Sequence, residues 1–223
     1  MLPTILLTRP EPDSRRFAGQ LAADPVTAAL PVVIAPLMRI VSLDHDADRL
    51  ERAPGLVFTS AQAVPLAGAG RGRVAYCVGG HTADAARAAG YDVIEGPGDA
   101  EGLAPMVAAA TVPLVHARGR HLARDLGVDF VVVYDQQELP PPAAAQDLLA
   151  GDGPVILPLF SPRSARLAAA MVRGARAPLW IAPISAAARD AWDAPAARCV
   201  VADTPDAPGI HAAIRALMAA EQS

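Results

Sequence analysis

The strongest constraint on the fold of this chain is a set of similar segments that recur at offsets of 102, 105 and 107 residues. VFTSAQAV, which begins at Val57, resembles LFSPRSAR, which begins at Leu159. In the same order, VAYCVGGHTADAARAAG resembles LWIAPISAAARDAWD, and DAEGLAPMV from Asp99 resembles DAPGIHAAI from Asp206. Repetition at a nearly fixed offset, with a drift that fits changes in loop length, predicts two units of similar structure.

Strand-like and helix-like segments alternate along the whole chain. Apolar runs such as TILLT, GLVFT and VILPLF each precede a helical stretch, and further pairs include PLVHA before HLARDLG and PLWIAP before SAAARDAWD, with RCVVAD as a late strand. Continuous apolar strands separated by helices are typical of parallel sheets covered by helices. The expected fold class is α/β, with two similar parallel-sheet, flavodoxin-like domains.

The domain boundaries follow from where the additional strand–helix segments lie. One such segment, TILLTRPEPDSRRFAGQL, is at the N-terminus, and the other, PLVHARGRHLARDL, comes late in the first repeat. The economical arrangement has one contiguous domain over 40–133 and one discontinuous domain built from 1–35 plus 140–223. Extended segments 36–43 and 133–139 would connect them as two strands. A cleft between two such domains is a usual place for a small ligand.

Lysine is absent from the chain, because all 19 basic residues are arginines. This excludes Schiff-base chemistry on a lysine, including that of pyridoxal-phosphate enzymes, and it excludes a P-loop, which needs its lysine. Any bound anion must be held by arginines, hydroxyl groups or backbone N–H groups. The net charge of −4 argues against general nucleic-acid binding.

Several other classes of protein lack support in the sequence. No apolar run is long enough to suggest a membrane span, and the N-terminal apolar run has no basic region before it, so we expect a cytoplasmic protein without a signal peptide. Cys77 and Cys199 lie in apolar, strand-like segments and are predicted to be buried, reduced thiols. Neither metal-ligand spacing nor a GxGxxG, GxSxG or HExxH motif is present, so no metal or cofactor is expected.

Hydroxyl-bearing residues recur where a predicted strand turns into a helix. Each can be explained as a helix N-cap, but all of them follow the carboxyl ends of parallel strands, where α/β sheets bind ligands and helix N-termini favour anions. These corners contain Thr8 with Arg9, Thr59 with Ser60, Thr82, Ser161 with Arg163 and Ser164, and Ser185. Tyr134 is predicted to end the strand DFVVVY and to face the cleft, either as an interface residue or as a phenol that assists a leaving oxygen.

These motifs together resemble the uroporphyrinogen-III synthase family. The resemblance covers nearly the whole chain in order, and it is carried by the segments LLTRP, GLVFTSAQAV, YCVGGHTADAARAAGYDV, HARGRHLARDL, VVYDQQ and LFSPRSAR. It implies the same two-domain fold. It also implies cyclisation of hydroxymethylbilane, which carries eight carboxylates, to uroporphyrinogen III without a cofactor or metal. The terminal pyrrole ring is inverted and water is lost through an azafulvene and a spiro intermediate.

The resemblance also implies roles for individual residues. Tyr134 matches the family's cleft tyrosine and would assist departure of the hydroxyl group, whereas Arg9, Arg118 and Arg163 are chosen as carboxylate partners by charge and location. From Ala182 to Ala187 the chain reads APISAA where the family usually has Gly-x-x-Thr-Ala, which puts contacts there in doubt. The expected substrate-binding residues are Thr8, Arg9, Thr59, Ser60, Gly79, Thr82, Arg118, Gly119, Ser161, Arg163, Ser164 and Ser185.

Two other functions remain open at this stage. One is a non-catalytic two-domain binder of a small polyanionic ligand, and the other is a degenerate family member that scaffolds tetrapyrrole enzymes. For the synthase, the expected partners are hydroxymethylbilane and, in transient contact, the enzyme that makes it; the expected state is a monomer.

Overall fold

The computed structural model describes residues 2–122 and 124–219. The chain divides into two compact units, Met1–Arg39 with Glu138–Ser223, and Ile40–Gln137. The strands are β1 (Thr4–Leu7), β2 (Val32–Ile34), β3 (Met38–Ser42), β4 (Gly55–Phe58), β5 (Val74–Cys77), β6 (Asp92–Glu95), β7 (Leu114–Gly119), β8 (Asp129–Glu138), β9 (Val155–Leu159), β10 (Leu179–Pro183) and β11 (Arg198–Cys199). The α-helices are α1 (Glu11–Ala23), α2 (Ala47–Arg52), α3 (Gly80–Ala88), α4 (Ala100–Ala108), α5 (Ala143–Leu149), α6 (Pro162–Met171), α7 (Ala186–Asp190) and α8 (Ala207–Ala219), and a 3₁₀ helix spans Ala61–Leu66.

The first unit contains a five-stranded sheet in the order β2-β1-β9-β10-β11, and all of its strand pairs are parallel. Alternate strand residues face opposite sides. Leu6 and Leu157 pack with residues of α5 and α6 in one buried cluster, whereas Ile5 packs with Phe17 of α1 and Ile214 of α8 in another. Helices therefore cover both faces of this sheet, which is why β9 and β10 at its centre are apolar throughout.

The second unit contains a six-stranded sheet in the order β3-β8-β7-β4-β5-β6. The pairs from β8 to β6 are parallel. Leu43 N donates to Val133 O and Leu139 N donates to Leu37 O, each at 2.9 Å, and these two hydrogen bonds show that β3 runs antiparallel to β8. One face packs against α2, α3 and the 3₁₀ helix, and the other packs against α4.

The five parallel strands of each sheet follow the same spatial order if the strands of the second unit are counted from β7. In the first unit the order is second-first-third-fourth-fifth along the chain, which is the flavodoxin-like order. In the second unit the same order is obtained when β7 is taken as the first strand and β8 as the second. Both units thus have the predicted α/β class; the first sheet is parallel, and the second is parallel except for its edge strand β3. The repeat found in the sequence corresponds to equivalent strands.

The repeat extends to helix capping. The carboxylate Oδ1 of Asp99 accepts a hydrogen bond from Gly102 N at the start of α4, and Oδ1 of Asp206 accepts one from Gly209 N at the start of α8, both at 2.8 Å. A carboxylate at this position satisfies a free helix amide and interacts favourably with the helix dipole. The residues that precede Ala100 therefore form a capped turn into α4.

Three predictions about local structure were wrong. HLARDLG does not form a helix in its described residues, which are 121–122 and 124–127. Cys199 is exposed rather than buried, because β11 is a two-residue strand at the edge of its sheet. Tyr134 does not end its strand, since β8 continues to Glu138. No helix among the described residues is long and apolar enough to cross a membrane.

Candidate active site

Thr59, which follows the carboxyl end of β4, forms a hydrogen-bonded pair with His116, which lies within the neighbouring strand β7. The parallel register places Phe58 of β4 beside Ala117 of β7, so Thr59, which follows β4, lies close to β7. Thr59 Oγ1 is 2.9 Å from His116 Nε2. His116 is only 2% exposed, and burial, helped by the positive charge of Arg118, lowers the pKa of its imidazole to about 4. The ring is therefore neutral near pH 7.

Tyr134 forms a second pair with Ser60. The Tyr134 side chain is 4% exposed, and its phenol hydrogen-bonds the Ser60 side chain. Burial raises the pKa of the phenol, and the hydrogen bond with Ser60 offsets part of that rise. The phenol is therefore protonated at neutral pH and can act as a hydrogen-bond donor.

Gly119 provides the space for the Tyr134 ring. The two residues are partners across β7 and β8, where β7 has an irregularity between Arg118 and Gly119. A Cβ atom at Gly119 would lie 2.6 Å from Tyr134 Cζ and 2.9 Å from its Oη. Any larger residue at this position would displace the phenol, so the glycine fixes where the hydroxyl group lies.

The two pairs lie on opposite faces of the same sheet. Tyr134 belongs to the buried cluster that contains Phe58 and Val115, whereas His116 alternates with Val115 along β7 and so points to the other face. Two consecutive hydroxyl-bearing residues are thus each hydrogen-bonded by a buried ring, one from each face. The sequence predicted the two hydroxyls and the tyrosine but not the histidine.

Arg118 lies next to these pairs. Its guanidinium carbon is 3.8 Å from the centre of the Phe130 ring, an arrangement that orients the side chain by a cation–π interaction. Nη1 makes one long hydrogen bond, of 3.5 Å, to Gly119 O. The buried Nε has no hydrogen-bond partner within residues 2–122 and 124–219. Arg118 therefore retains donor capacity for an anion.

The predicted corner after β5 is formed by glycines. Gly79 is the N-cap of α3 and provides no side-chain cap, so the first amides of this helix are not capped by a side chain. A Cβ atom at Gly79 would be 2.9 Å from Gly98 Cα, which explains why a bulkier residue does not fit. Thr82 is buried in the first turn, and its N–H donates to Gly79 O at 3.0 Å.

In the first unit, Thr8 and Arg9 follow β1. Thr8 is 1% exposed, and no hydrogen-bond partner for its Oγ1 occurs among the described residues. The Arg9 guanidinium carbon is 4.1 Å from the centre of the Phe160 ring, and its Nη2 is 3.8 Å from Asp13 Oδ2. Burial lowers the pKa of Arg9, although Asp13 opposes this effect.

The remaining predicted residues of the first unit cap helices. Ser161 Oγ accepts from Ser164 N at 3.1 Å, and Ser164 Oγ accepts from Ser161 N at 3.0 Å, which is a capping box at the start of α6. Ser185 Oγ accepts from Ala188 N at 3.3 Å. Arg163 Nη2 is 3.1 Å from Glu138 Oε1. The capping interpretation thus describes the contacts of these serines, and their role in substrate binding stays a prediction.

The structure groups the predicted residues by unit. Thr59, Ser60, Arg118, Gly119 and Tyr134 come together at the ends of β4, β7 and along β8. The sequence did not predict a role for His116, or for Phe130 and Phe160, whose rings lie against Arg118 and Arg9. Their signal was weak, because a single histidine or phenylalanine in an apolar strand usually indicates core packing. No group of three or more His, Cys, Asp or Glu residues in the described part of the chain could hold a metal ion.

Comparison with known proteins identifies the family. The family model for uroporphyrinogen-III synthase HemD matches residues 26–212. The fold is similar to that of uroporphyrinogen-III synthetase from Helicobacter pylori, at 14% identity and a TM-score of 0.60, covering 97% of this chain and 100% of that one. A mutant uroporphyrinogen III synthase from the extremely thermophilic bacterium Thermus thermophilus is similar at 13% identity and a TM-score of 0.53, covering 96% and 99%. No match was found among curated protein sequences. Because the family model spans most of the sequence, the chain belongs to the uroporphyrinogen-III synthase family.

Proposed function

We propose that this chain closes hydroxymethylbilane into uroporphyrinogen III, with inversion of the terminal pyrrole ring and loss of water, and that Tyr134 assists departure of the hydroxyl group. The family supplies the cyclising lyase activity. The observation that carries the role of Tyr134 is its buried phenol, which is held by Ser60 and packed on Gly119.

The phenol acts as a neutral hydrogen-bond donor to the leaving oxygen. Its raised pKa keeps it protonated, so it stabilises negative charge that develops on oxygen as the C–O bond breaks. The oxygen leaves as water after taking up one proton, and the pyrrole N–H of the same ring releases one proton, so the step is balanced and leaves an azafulvene. Ring closure through the spiro intermediate then depends on how the bilane is positioned.

The carboxylates of the substrate are bound by arginine and by hydroxyl and backbone donors. Arg118 supports this proposal best, because its side chain is oriented on Phe130 and its buried Nε has no partner in the described chain. Arg9 is oriented in the same way on Phe160. Arg163 is paired with Glu138, so binding a substrate carboxylate there requires this exposed and therefore weak ion pair to open.

The decisive test compares Tyr134→Phe with the unmodified protein in an assay for the product isomer. The unmodified protein should form the type III isomer faster than the spontaneous type I product appears. Tyr134→Phe should lower the rate of type III formation by about 10²-fold, within the usual contribution of a positioned proton donor. An unchanged rate would remove Tyr134 from the mechanism.

Tyr91→Phe is the matched control. Tyr91 lies in the same buried cluster as Tyr134, and its hydroxyl donates to the backbone oxygen of Gly68 at 3.0 Å. This variant loses a buried phenol hydroxyl of similar environment, so it should lose stability without a comparable loss of activity. Equal losses of activity in both variants would indicate a general effect on the core.

The runner-up function is a non-catalytic binder of a small polyanionic ligand. It is favoured if the folded protein binds the bilane tightly, as measured by calorimetry, while only the type I isomer forms.

We propose that the synthase is a monomer that acts in the cytoplasm. We also propose that it makes transient contact with the enzyme that produces hydroxymethylbilane. Sedimentation at several concentrations tests the monomer, because a dimer would show a mass that rises with concentration.

A further inference from the structure

We propose that His116 is a positioning residue for the synthase reaction, and that it directs the hydroxyl proton of Thr59 towards a carboxylate of the substrate. This inference rests on the proposed function. The geometry that carries it is the 2.9 Å contact between Nε2 of His116, within β7, and Oγ1 of Thr59, which directly follows the adjacent strand β4.

His116 lies beneath polar residues near the strand ends, and this position favours a role in orienting them over simple packing. His116 lies two residues before Arg118 on β7, so the two side chains point to the same face of the sheet. Thr59 and Arg118 are each half-buried, whereas His116 is fully buried beneath them. The imidazole therefore cannot reach a bulky ligand itself, and it acts through the hydroxyl that it contacts.

The protonation of the ring determines what Thr59 can do. A neutral imidazole carries a single N–H, and burial keeps His116 neutral near pH 7. With that proton on Nε2, the ring donates to Thr59 Oγ1, and the hydroxyl hydrogen remains available for a carboxylate oxygen. Arg118, with an unpartnered Nε–H among the described residues, supplies the positive charge on the same face.

A packing role and a positioning role predict different effects of an apolar substitution on substrate binding. Burial of an imidazole is costly compared with burial of a hydrocarbon side chain. His116→Leu should therefore leave the thermal stability equal or higher if it folds, while weakening substrate binding because Thr59 is no longer oriented. A histidine that served packing alone would show no effect on binding.

The experiment is a double-mutant cycle with KM and kcat for hydroxymethylbilane as readouts. His116→Leu and Thr59→Val should each raise KM about tenfold, the usual effect of losing one hydrogen bond, with a smaller change in kcat. The double variant should be no worse than either single variant, because both disrupt the same interaction. His116→Gln should recover most of the affinity, because its amide can donate to Thr59.

Each outcome decides the proposal. Additive effects in the cycle, an unchanged KM in His116→Leu, or failure of His116→Gln to recover affinity would each overturn the role of His116 while leaving the synthase activity in place. Absence of type III formation by the unmodified protein would instead overturn the proposed function and this inference with it. If His116→Leu does not fold, His116→Asn replaces it in the cycle. The asparagine amide is too short to reach Thr59, so His116→Asn should raise KM, whereas His116→Gln should not.

Discussion

Acidification should destabilise the second unit through His116. In the folded chain, burial lowers the pKa of this imidazole from 6.5 to about 4, with Arg118 adding to the effect and Asp125 opposing it. In the unfolded chain the ring has its ordinary pKa, so the unfolded state binds a proton more readily. The contribution of His116 to stability is therefore complete above about pH 6.5 and is lost as the pH falls towards about pH 4.

The size of the effect follows from the gap between the two pKa values. Each pKa unit corresponds to about 1.4 kcal/mol, so a fall in pH below about 4 removes about 3 kcal/mol from the free energy of unfolding. Between about pH 7 and about pH 5 the loss is about 2 kcal/mol. The ring is only 2% exposed, so screening by solvent does not reduce this figure substantially.

Urea unfolding at a series of pH values measures the effect. The free energy of unfolding of the unmodified chain should fall between about pH 7 and about pH 5 by about 2 kcal/mol more than that of His116→Gln, which cannot titrate. Taking this difference removes the contributions of carboxylates and of the other histidines, which both proteins share. Parallel pH curves for the two proteins would refute the reasoning, because they would mean that His116 titrates alike in the folded and unfolded states.

Three further predictions follow from close contacts and exposure. Gly119→Ala should lower the rate of type III formation by about 100-fold, because its Cβ atom would displace the phenol ring that packs on it; an unchanged rate would contradict this. Arg73→Met should lower the free energy of unfolding by about 3 kcal/mol, because the Arg73 guanidinium donates to several backbone carbonyls. Arg71 is exposed and forms only an ion pair with Glu51, so the control Arg71→Met should lower the free energy of unfolding by under about 1 kcal/mol. A thiol reagent should label Cys199 in the folded protein and Cys77 only after denaturation, because Cys77 is buried and burial raises the pKa of its thiol to about 12; rapid labelling of both thiols would contradict the burial.

Hydrophobic periodicity and the internal repeat were sufficient to predict the sheets. Strands that are buried on both faces are apolar at every position, and this pattern is visible in β4 and β9. The repeat then related β4 to β9 and Asp99 to Asp206, and those two aspartates cap equivalent helices. Apolar strands and helix caps can be recognised in a sequence because each depends only on residues close to it along the chain.

The segment after β7 shows why one local prediction failed. HLARDLG has the composition of a helix, but only residues 120–128 connect the end of β7 to the start of β8, which runs parallel to it. A strand of this length extends about 20 Å, whereas nine residues of helix rise only about 14 Å. The chain must return along the strand and also turn at both ends, and the described residues of the connection, 120–122 and 124–128, are not helical.

Contacts between distant residues were not accessible from the sequence. His116 stands in the apolar run PLVHA, where it has the signal of a core residue. Its relation to Thr59 depends on the pairing of β7 with β4, which brings together residues 57 positions apart. The same applies to Phe130 beneath Arg118. Sequence patterns predicted which strand ends carry polar groups, but the strand register decides which of those groups meet.

The buried rings of His116 and Tyr134 act as neutral hydrogen-bonding groups and not as charges. Both are uncharged near neutral pH, because burial lowers the pKa of His116 and raises the pKa of Tyr134. A charged imidazolium in this position would attract the carboxylates of a polyanionic substrate from any direction, because the attraction between charges depends on their separation and not on their orientation. Neutral donors held by Thr59 and Ser60 contribute direction instead, and direction is what ring inversion requires, since the reactive carbon must meet one pyrrole position and not the other. We therefore expect substitutions that add charge at His116, such as His116→Arg, to impair type III formation more than they impair binding of the bilane. Tighter binding with an unchanged share of type III product would contradict this argument.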